Sequence, residues 1–208
     1  MSGQEWNAGD ADLADATILA AASGQVPRFP VIGLAGPQYS GKSTAAKALA
    51  GVGFERLRFA APLKAAFRGL LAELCVAPDR IERMIEGDLK EVPAPELSHR
   101  TPRHAMRTLG TEWGRDLMAP DFWVSPMIAR ASDLLARGVP VAFEDVRFPN
   151  EAAAVRALGG IVVMIEGRGG SAAAAHASES FAFEADAVID NSGCLERLEA
   201  QALEIALG

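Results

Sequence analysis

Short runs of strand character alternate along the chain with longer stretches of helical period. Residues 29–34, 54–59, 139–143, 161–165 and 187–189 carry the apolar, β-prone composition of strands. Helical segments fall between them. Residues 43–50 are Ala-rich and stop at Gly51. A helix opened by Pro62 runs to about Cys75 with Leu63, Phe67, Leu70, Leu71 and Leu74 on one face. Residues 79–86 close on Gly87, and Thr101-Pro102 opens a further helix with a capping residue and an N-terminal proline. That helix carries Met106, Leu109, Trp113 and Leu117 at helical spacing, with Gly110 and Gly114 as points of close approach. Residues 121–137 form another, which Pro126 is placed to kink. Residues 151–158 end on Gly159-Gly160, and 195–207 are amphipathic through Leu195, Leu198, Leu203 and Ile205. Strands alternating with helices predict an α/β fold whose parallel sheet is covered on both faces. Residues 1–26 read as an N-terminal extension holding one short helix at 12–22, and 27–208 as one domain. The Gly-, Ser- and Ala-rich stretch from 167 to about 184 reads as a short lid.

Between the first strand and the first helix stands Gly36-Pro37-Gln38-Tyr39-Ser40-Gly41-Lys42-Ser43, followed by Thr44. It satisfies G-x-x-x-x-G-K-[ST] at each fixed position and has the strand–loop–helix context that the P-loop motif requires. Glycines allow a tight loop whose N–H groups point inward as an anion nest at a helix N-terminus. Lys42 would then reach the β- and γ-phosphates of ATP, and the Ser43 hydroxyl would ligate Mg²⁺. The rival reading is a chance Gly-rich turn ahead of a helix, and the complete pattern outweighs it.

Composition narrows the function further. The chain has 208 residues, half of them hydrophobic, with a formal net charge of −7 and a pI near 5.0. This balance argues against a general nucleic-acid surface, while a few convergent cations in a cleft would still attract a small anion. Cys75 and Cys194 share no metal-like spacing and are expected to pack as reduced, apolar thiols. No apolar run approaches membrane-spanning length, and the first 27 residues carry acidic side chains without Lys or Arg. The expected location is cytoplasmic.

Asp145 follows an apolar strand, where a P-loop protein needs a carboxylate for the Mg²⁺ water shell; the alternative is a capping residue for the next turn. Glu144 is the weaker candidate. Arg147 either contacts substrate phosphate or pairs with Asp145 or Glu151. Arg107 and Arg115, eight apart on one helix, can face the same way, and Arg115 offers a two-pronged clamp for an acceptor phosphate. Against that clamp stands a surface pair with Asp116 or Glu112. Lys64 and Lys90 are single cations at helix boundaries. Trp113 reads first as core; Trp123 is the fairer of the two for stacking on a base, although core is the favoured reading for it as well. Arg168, at the start of the lid, would cover ATP or remain a surface side chain. The three histidines make no triad with a serine, in keeping with an acceptor that is already an anionic nucleophile.

Several blocks together resemble the phage-type deoxynucleoside monophosphate kinases. They are the P-loop, Phe59-Ala60-Ala61-Pro62-Leu63-Lys64, Gly87-Asp88-Leu89-Lys90-Glu91, Leu109-Gly110-Thr111-Glu112-Trp113-Gly114-Arg115-Asp116, Asp121-Phe122-Trp123-Val124, Asp145-Val146-Arg147-Phe148-Pro149-Asn150-Glu151-Ala152, His176-Ala177-Ser178-Glu179 and Val188-Ile189-Asp190-Asn191. The resemblance implies five parallel strands ordered 2-3-1-4-5 and Mg²⁺-dependent transfer of the ATP γ-phosphoryl group to a 5′-deoxynucleotide. It further implies an acceptor-binding region at about 60–123 and an adenine border at Asp190-Asn191-Ser192-Gly193, with Asn191 counted among the ATP-binding residues. Gly36, Gln38, Tyr39, Ser40, Gly41, Lys42, Ser43, Thr44 and Arg168 complete that set; Lys64, Lys90, Arg107, Trp113, Arg115, Trp123 and Arg147 make the acceptor set. Members often carry Asp where this chain has Ser43 and Pro where it has Glu144. Their lids carry arginines where this one has Arg168 alone, which shifts weight to Arg115 and Arg147. A related P-loop kinase for dephospho-coenzyme A or hydroxymethylated DNA bases, and a nucleotide-dependent switch, remain alternatives. A homodimer is left open.

Overall fold

A computed structural model describes residues 26–167 and 181–208. Arg168, His176 and most of the expected lid and N-terminal extension lie outside the described residues. Five parallel strands form the sheet in the order β2-β3-β1-β4-β5: β1 Val31–Ala35, β2 Glu55–Leu57, β3 Val141–Phe143, β4 Ile161–Glu166 and β5 Ala187–Asp190. This is the fold class that the strand–helix alternation predicts, with the strand order the resemblance implies. β1 is central, pairing Gly33 with Phe143 on one side and Leu34 with Val163 on the other. Every residue of β1 is buried, as both-sided coverage demands.

The described residues divide into two compact units, 26–57 with 131–167 and 181–208, and Arg58–Arg130. In the first, helices α1 (Lys42–Gly51) and α7 (Leu195–Leu207) pack on one face of the sheet through Ala45, Ala46, Leu49, Leu198, Ala202 and Ala206. The small side chains let both helices approach closely. In α7 this buries Leu198 and leaves Leu195 half exposed, although the sequence pattern weighted the two equally. Helix α6 (Pro149–Ala157) meets β1 where Gly33 has no side chain; a Cβ there would stand 2.9 Å from Val146 and 3.1 Å from Val155.

The unit Arg58–Arg130 is helical. It holds α2 (Ala61–Glu73), α3 (Pro78–Ile85), two 3₁₀ turns (Asp88–Glu91 and Pro95–Leu97), α4 (Pro102–Thr108) and a wide helix, Leu109–Met118; α5 (Val124–Ala136) begins in it. Its core joins Phe67, Leu71, Val76, Ile81, Met84, Ile85, Ala94 and Met106. Leu70 and Leu74, expected on the buried face of α2, are instead 49% and 43% exposed, because Phe67 and Leu71 alone face this core. Thr101 caps α4 as expected, its hydroxyl accepting from the His104 N–H at 3.1 Å.

The single helix expected after Thr101 is two segments of different winding. Beyond Thr108 the ladder loosens to i→i+5 spacing, seen where the Ala119 N–H bonds the Gly114 carbonyl at 3.1 Å. The cause is Trp123. Its indole N–H donates to the Gly110 carbonyl at 2.9 Å and lies so near Gly114 that a Cβ there would stand 2.1 Å away. A side chain inserted against a helical ladder distorts it locally. Pro126 produces no kink, because α5 starts at Val124 and the proline falls in its first turn, where a missing N–H costs nothing. Cys75 and Cys194 are exposed, not packed, since each lies at a helix boundary outside the core.

Candidate functional site

The loop from Gly36 to Gly41 leaves the C-terminal end of β1 and delivers the chain into α1. Two glycines make that path. Gly36 has φ +142° and Gly41 φ +103°. A Cβ on Gly36 would stand 2.5 Å from the Ile165 carbonyl oxygen; one on Gly41 would stand 2.7 Å from both the Asn191 amide and Leu198. Ser40 is fully buried and its N–H meets the Pro37 carbonyl at 3.3 Å. The N–H groups of Thr44 and Ala45 both return to the Gly41 carbonyl at 3.0 Å, starting α1 directly on the loop. Gln38 and Tyr39 form the exposed apex, with Tyr39 at φ +65°.

Lys42 bends back across the loop. Its ammonium donates to the Gly36 carbonyl at 2.7 Å and the Pro37 carbonyl at 2.6 Å, with the Ser40 hydroxyl at 3.5 Å. A cation is thus held over a ring of backbone at a helix N-terminus, where the macrodipole favours anions. Ser43 is exposed beside it and Thr44 half-buried.

Asp145 lies at the same end of the sheet. The Val146 N–H bonds the Leu34 carbonyl at 3.1 Å, which sets Asp145 beside the end of β1 where the loop begins, and its side chain is half-buried. Glu144 turns the other way. It is 5% exposed and forms an ion pair with Arg56 from β2. The Ser43 hydroxyl and the Asp145 carboxylate are hard oxygen donors of the kind that would suit Mg²⁺.

Arg147 is exposed, and among the described residues its guanidinium makes no ion pair. The Glu151 carboxylate instead takes the main-chain N–H groups of Arg147 and Phe148, at 2.7 and 3.1 Å, closing the entry to α6. The salt bridge from Arg147 to Glu151 expected as its alternative role is therefore replaced by a backbone cap.

The Asn191 side chain lies beneath the loop, buried, with its amide donating to the Ser40 carbonyl at 2.8 Å. The Asn191 N–H continues the β4–β5 ladder to the Glu166 carbonyl at 2.8 Å, so the sheet holds the residue that holds the loop. Asp190 closes the following turn through the Ser192 hydroxyl and N–H at 2.8 and 2.9 Å, and these bonds hold its carboxyl below the usual range.

The remaining expected site residues belong to the helical unit. Trp123 cannot stack on a base: it is 6% exposed and spent on Gly110 and Gly114. Trp113, read first as core, is 39% exposed and braced edge-on by Phe122 at 5.2 Å. Trp123 thus takes the core position that is the favoured reading for it, while Trp113, on the wide helix, lies partly outside. The same winding removes the α-helical argument that Arg107 and Arg115 share a face. Arg115 is half-buried with its guanidinium on the Pro120 carbonyl at 3.3 Å, while Arg107 is exposed. Lys90 is half-buried in its 3₁₀ turn. Lys64 is no solvated surface cation: its ammonium meets Glu86 at 2.7 Å and its side chain is 17% exposed. Sequence reading missed Glu86, Arg58 and Arg68 around it, since no local spacing announces a cluster gathered from separate elements.

Sheet order and loop together define a P-loop α/β protein. No protein-family model matches the chain, and no curated protein matches it. Among solved structures it is similar to an unliganded sugar kinase from Janibacter sp. HTCC2649, at 17% identity over 84% of this chain and 91% of that one, with a TM-score of 0.43. It is also similar to TT1252 from Thermus thermophilus, at 23% identity over 84% of this chain and 95% of that one, with a TM-score of 0.46. At these values the likeness adds nothing to what the sheet and loop establish.

Proposed function

We propose that this chain is an ATP-dependent deoxynucleoside monophosphate kinase supplying dNDPs for DNA synthesis. The observation that carries the reading is the loop itself: Lys42 poised over main-chain groups at the start of α1, with Ser43 exposed and Asp145 on the adjoining strand end. The acceptor class rests on the blocks that resemble phage-type kinases, 109–116 and 145–152 above all.

In this reading the loop N–H groups and Lys42 bind the ATP phosphates and stabilise charge on the transferring phosphoryl group. Ser43 and Asp145 would hold Mg²⁺, directly or through water, and the ion would supply neutralisation of phosphate charge. An oxygen of the acceptor's phosphate forms the new bond to the γ-phosphorus as the bond to the β–γ bridging oxygen breaks, releasing ADP. Arg115 and Arg147 offset the acceptor's charge. The enzyme works in the cytoplasm. It needs no general base, because the acceptor phosphate is already ionised near neutral pH.

A phosphoryl-transfer screen tests this directly, using ATP with the four dNMPs, their ribo counterparts, modified pyrimidine nucleotides and dephospho-coenzyme A. Turnover with a dNMP is expected, and Lys42→Ala should lower it by a factor of at least about 10²–10³ with the melting temperature nearly unchanged. ATP consumption without any acceptor would replace the kinase with a nucleotide switch.

A further inference from the structure

Three cations of the helical unit converge on one oxygen atom. Around Glu86 Oε1 stand the Lys64 ammonium at 2.7 Å, Arg68 Nη2 at 3.9 Å and Arg58 Nη1 at 4.0 Å. They come from separate places: Arg58 follows directly after β2, Lys64 and Arg68 lie one turn apart on α2, and Glu86 caps the end of α3. Arg68 is oriented by a second carboxylate, Glu82, which its guanidinium grips at 2.6 and 2.9 Å. That grip holds the Glu82 carboxyl below the usual carboxylate range and the Arg68 guanidinium above its own. Three cations and two carboxylates thus share one cluster of the helical unit.

The arrangement is more than a surface pair. An exposed ion pair contributes little and needs no shielding from water. Lys64, however, keeps only 17% of its side chain exposed while its ammonium points to the shared oxygen. Glu86 is the loosely held member: it lies at a helix end, its side chain is 39% exposed, and it can turn into solvent at small cost. A phosphate monoester carries roughly 1.5–2 negative charges and three acceptor oxygens, against one charge and two oxygens for a carboxylate. Guanidinium forks match phosphate geometry better than they match the distant Glu86 oxygen.

We propose that Arg58, Lys64 and Arg68 form the subsite for the phosphate monoester of the acceptor nucleotide, and that Glu86 is an internal competitor which the phosphate displaces. This rests on the kinase reading for the identity of the ligand and goes beyond it in moving the acceptor's phosphate from Arg115 and Arg147 to these three cations and in naming the gate. Glu86 sets a threshold: weak anions with a single charge fail to displace it, whereas a phosphate monoester succeeds.

The test is calorimetric binding of each dNMP, each deoxynucleoside and inorganic phosphate to the full chain and its variants, beside thermal melting. Glu86→Gln should bind the accepted dNMP about five- to tenfold tighter while melting at a lower temperature, because removing the competitor also removes a fold contact. Lys64→Gln should weaken the dNMP at least about tenfold. Neither change should alter deoxynucleoside binding. Arg68→Gln, on the exposed side of α2, gives the same reading should Glu86→Gln fail to fold: the dNMP weakens and the deoxynucleoside does not. An unchanged or weaker dNMP affinity in Glu86→Gln, or equal losses for nucleotide and nucleoside in the other two, overturns the proposal. Wild-type turnover of a dNMP alongside either result leaves the kinase reading standing and removes only this subsite. Tighter phosphate binding by Glu86→Gln in a protein that transfers to no dNMP does the reverse.

Discussion

The two units of the molecule carry their chemistry in different ways. In the sheet unit, candidate groups are fixed by main chain: Lys42 follows a left-handed Gly41, and Asp145 sits at the end of a strand whose register is set by β1. In the helical unit, Lys64, Arg107, Trp113 and Arg115 are placed by side-chain packing and by the winding of one helix. A site anchored on sheet ends is hard to move and easy to recognise. One displayed on helix faces shifts whenever a neighbouring side chain changes the winding. Substitutions should therefore act differently in the two units.

The largest effect is expected in the sheet unit at Gly36→Ala. The new Cβ meets a backbone carbonyl at 2.5 Å in a conformation with φ +142°, so neither partner can yield cheaply. Overpacking and backbone strain together should cost about 3 kcal/mol or more, with loss of ATP binding, read by chemical denaturation and nucleotide titration. Next comes Arg56→Ala, which removes an ion-pair partner from the Glu144 side chain at 4% exposure. A cost of about 2–3 kcal/mol follows, below the range for fully buried pairs because Arg56 is itself partly exposed. The folded fraction should still bind ATP, since Asp145 does not share that pair.

In the helical unit the two tryptophans should separate stability from binding. Trp123→Phe removes the donor to the Gly110 carbonyl and should cost about 1–2 kcal/mol, leaving the acceptor KM unchanged. Trp113→Ala should leave stability nearly intact while raising the dNMP KM roughly fivefold or more, the scale of one lost base stack. If Trp123→Phe raised KM and Trp113→Ala did not, this division between a packed and an exposed tryptophan would be wrong. The smallest effect concerns acid. Bonding to Arg68 lowers the Glu82 pKa in the fold, so the stability it lends is complete above the ordinary carboxylate range and is lost as pH falls through the lowered value. Melting temperature against pH should show a shallower acid limb in Arg68→Gln than in the wild type.

Much of the sheet unit was legible beforehand. The five strands, the Ala-rich first helix, the P-loop and Asp145 all follow from local composition and spacing, because glycine at a left-handed position and apolar runs in a buried parallel sheet leave few alternatives. The carboxylate pair Glu144-Asp145 was legible as a pair but not as a division of labour, which required Arg56 from a strand 88 residues away. For Asn191 the resemblance implies a nucleotide contact, and only the packed structure shows its amide bonded under the loop to Ser40.

The sequence alone determined the order of strands and helices and the loop between β1 and α1, since periodicity and glycine act within a few residues of chain. Tertiary structure decided the rest. Trp123 set the winding of residues 109–118 by inserting against Gly110 and Gly114, and so chose which tryptophan faces outward. Three cations met on Glu86 because α2 and α3 pack around a shared core. Such meetings depend on distances between elements, and a helical pattern read along the chain contains no information about what will press against it.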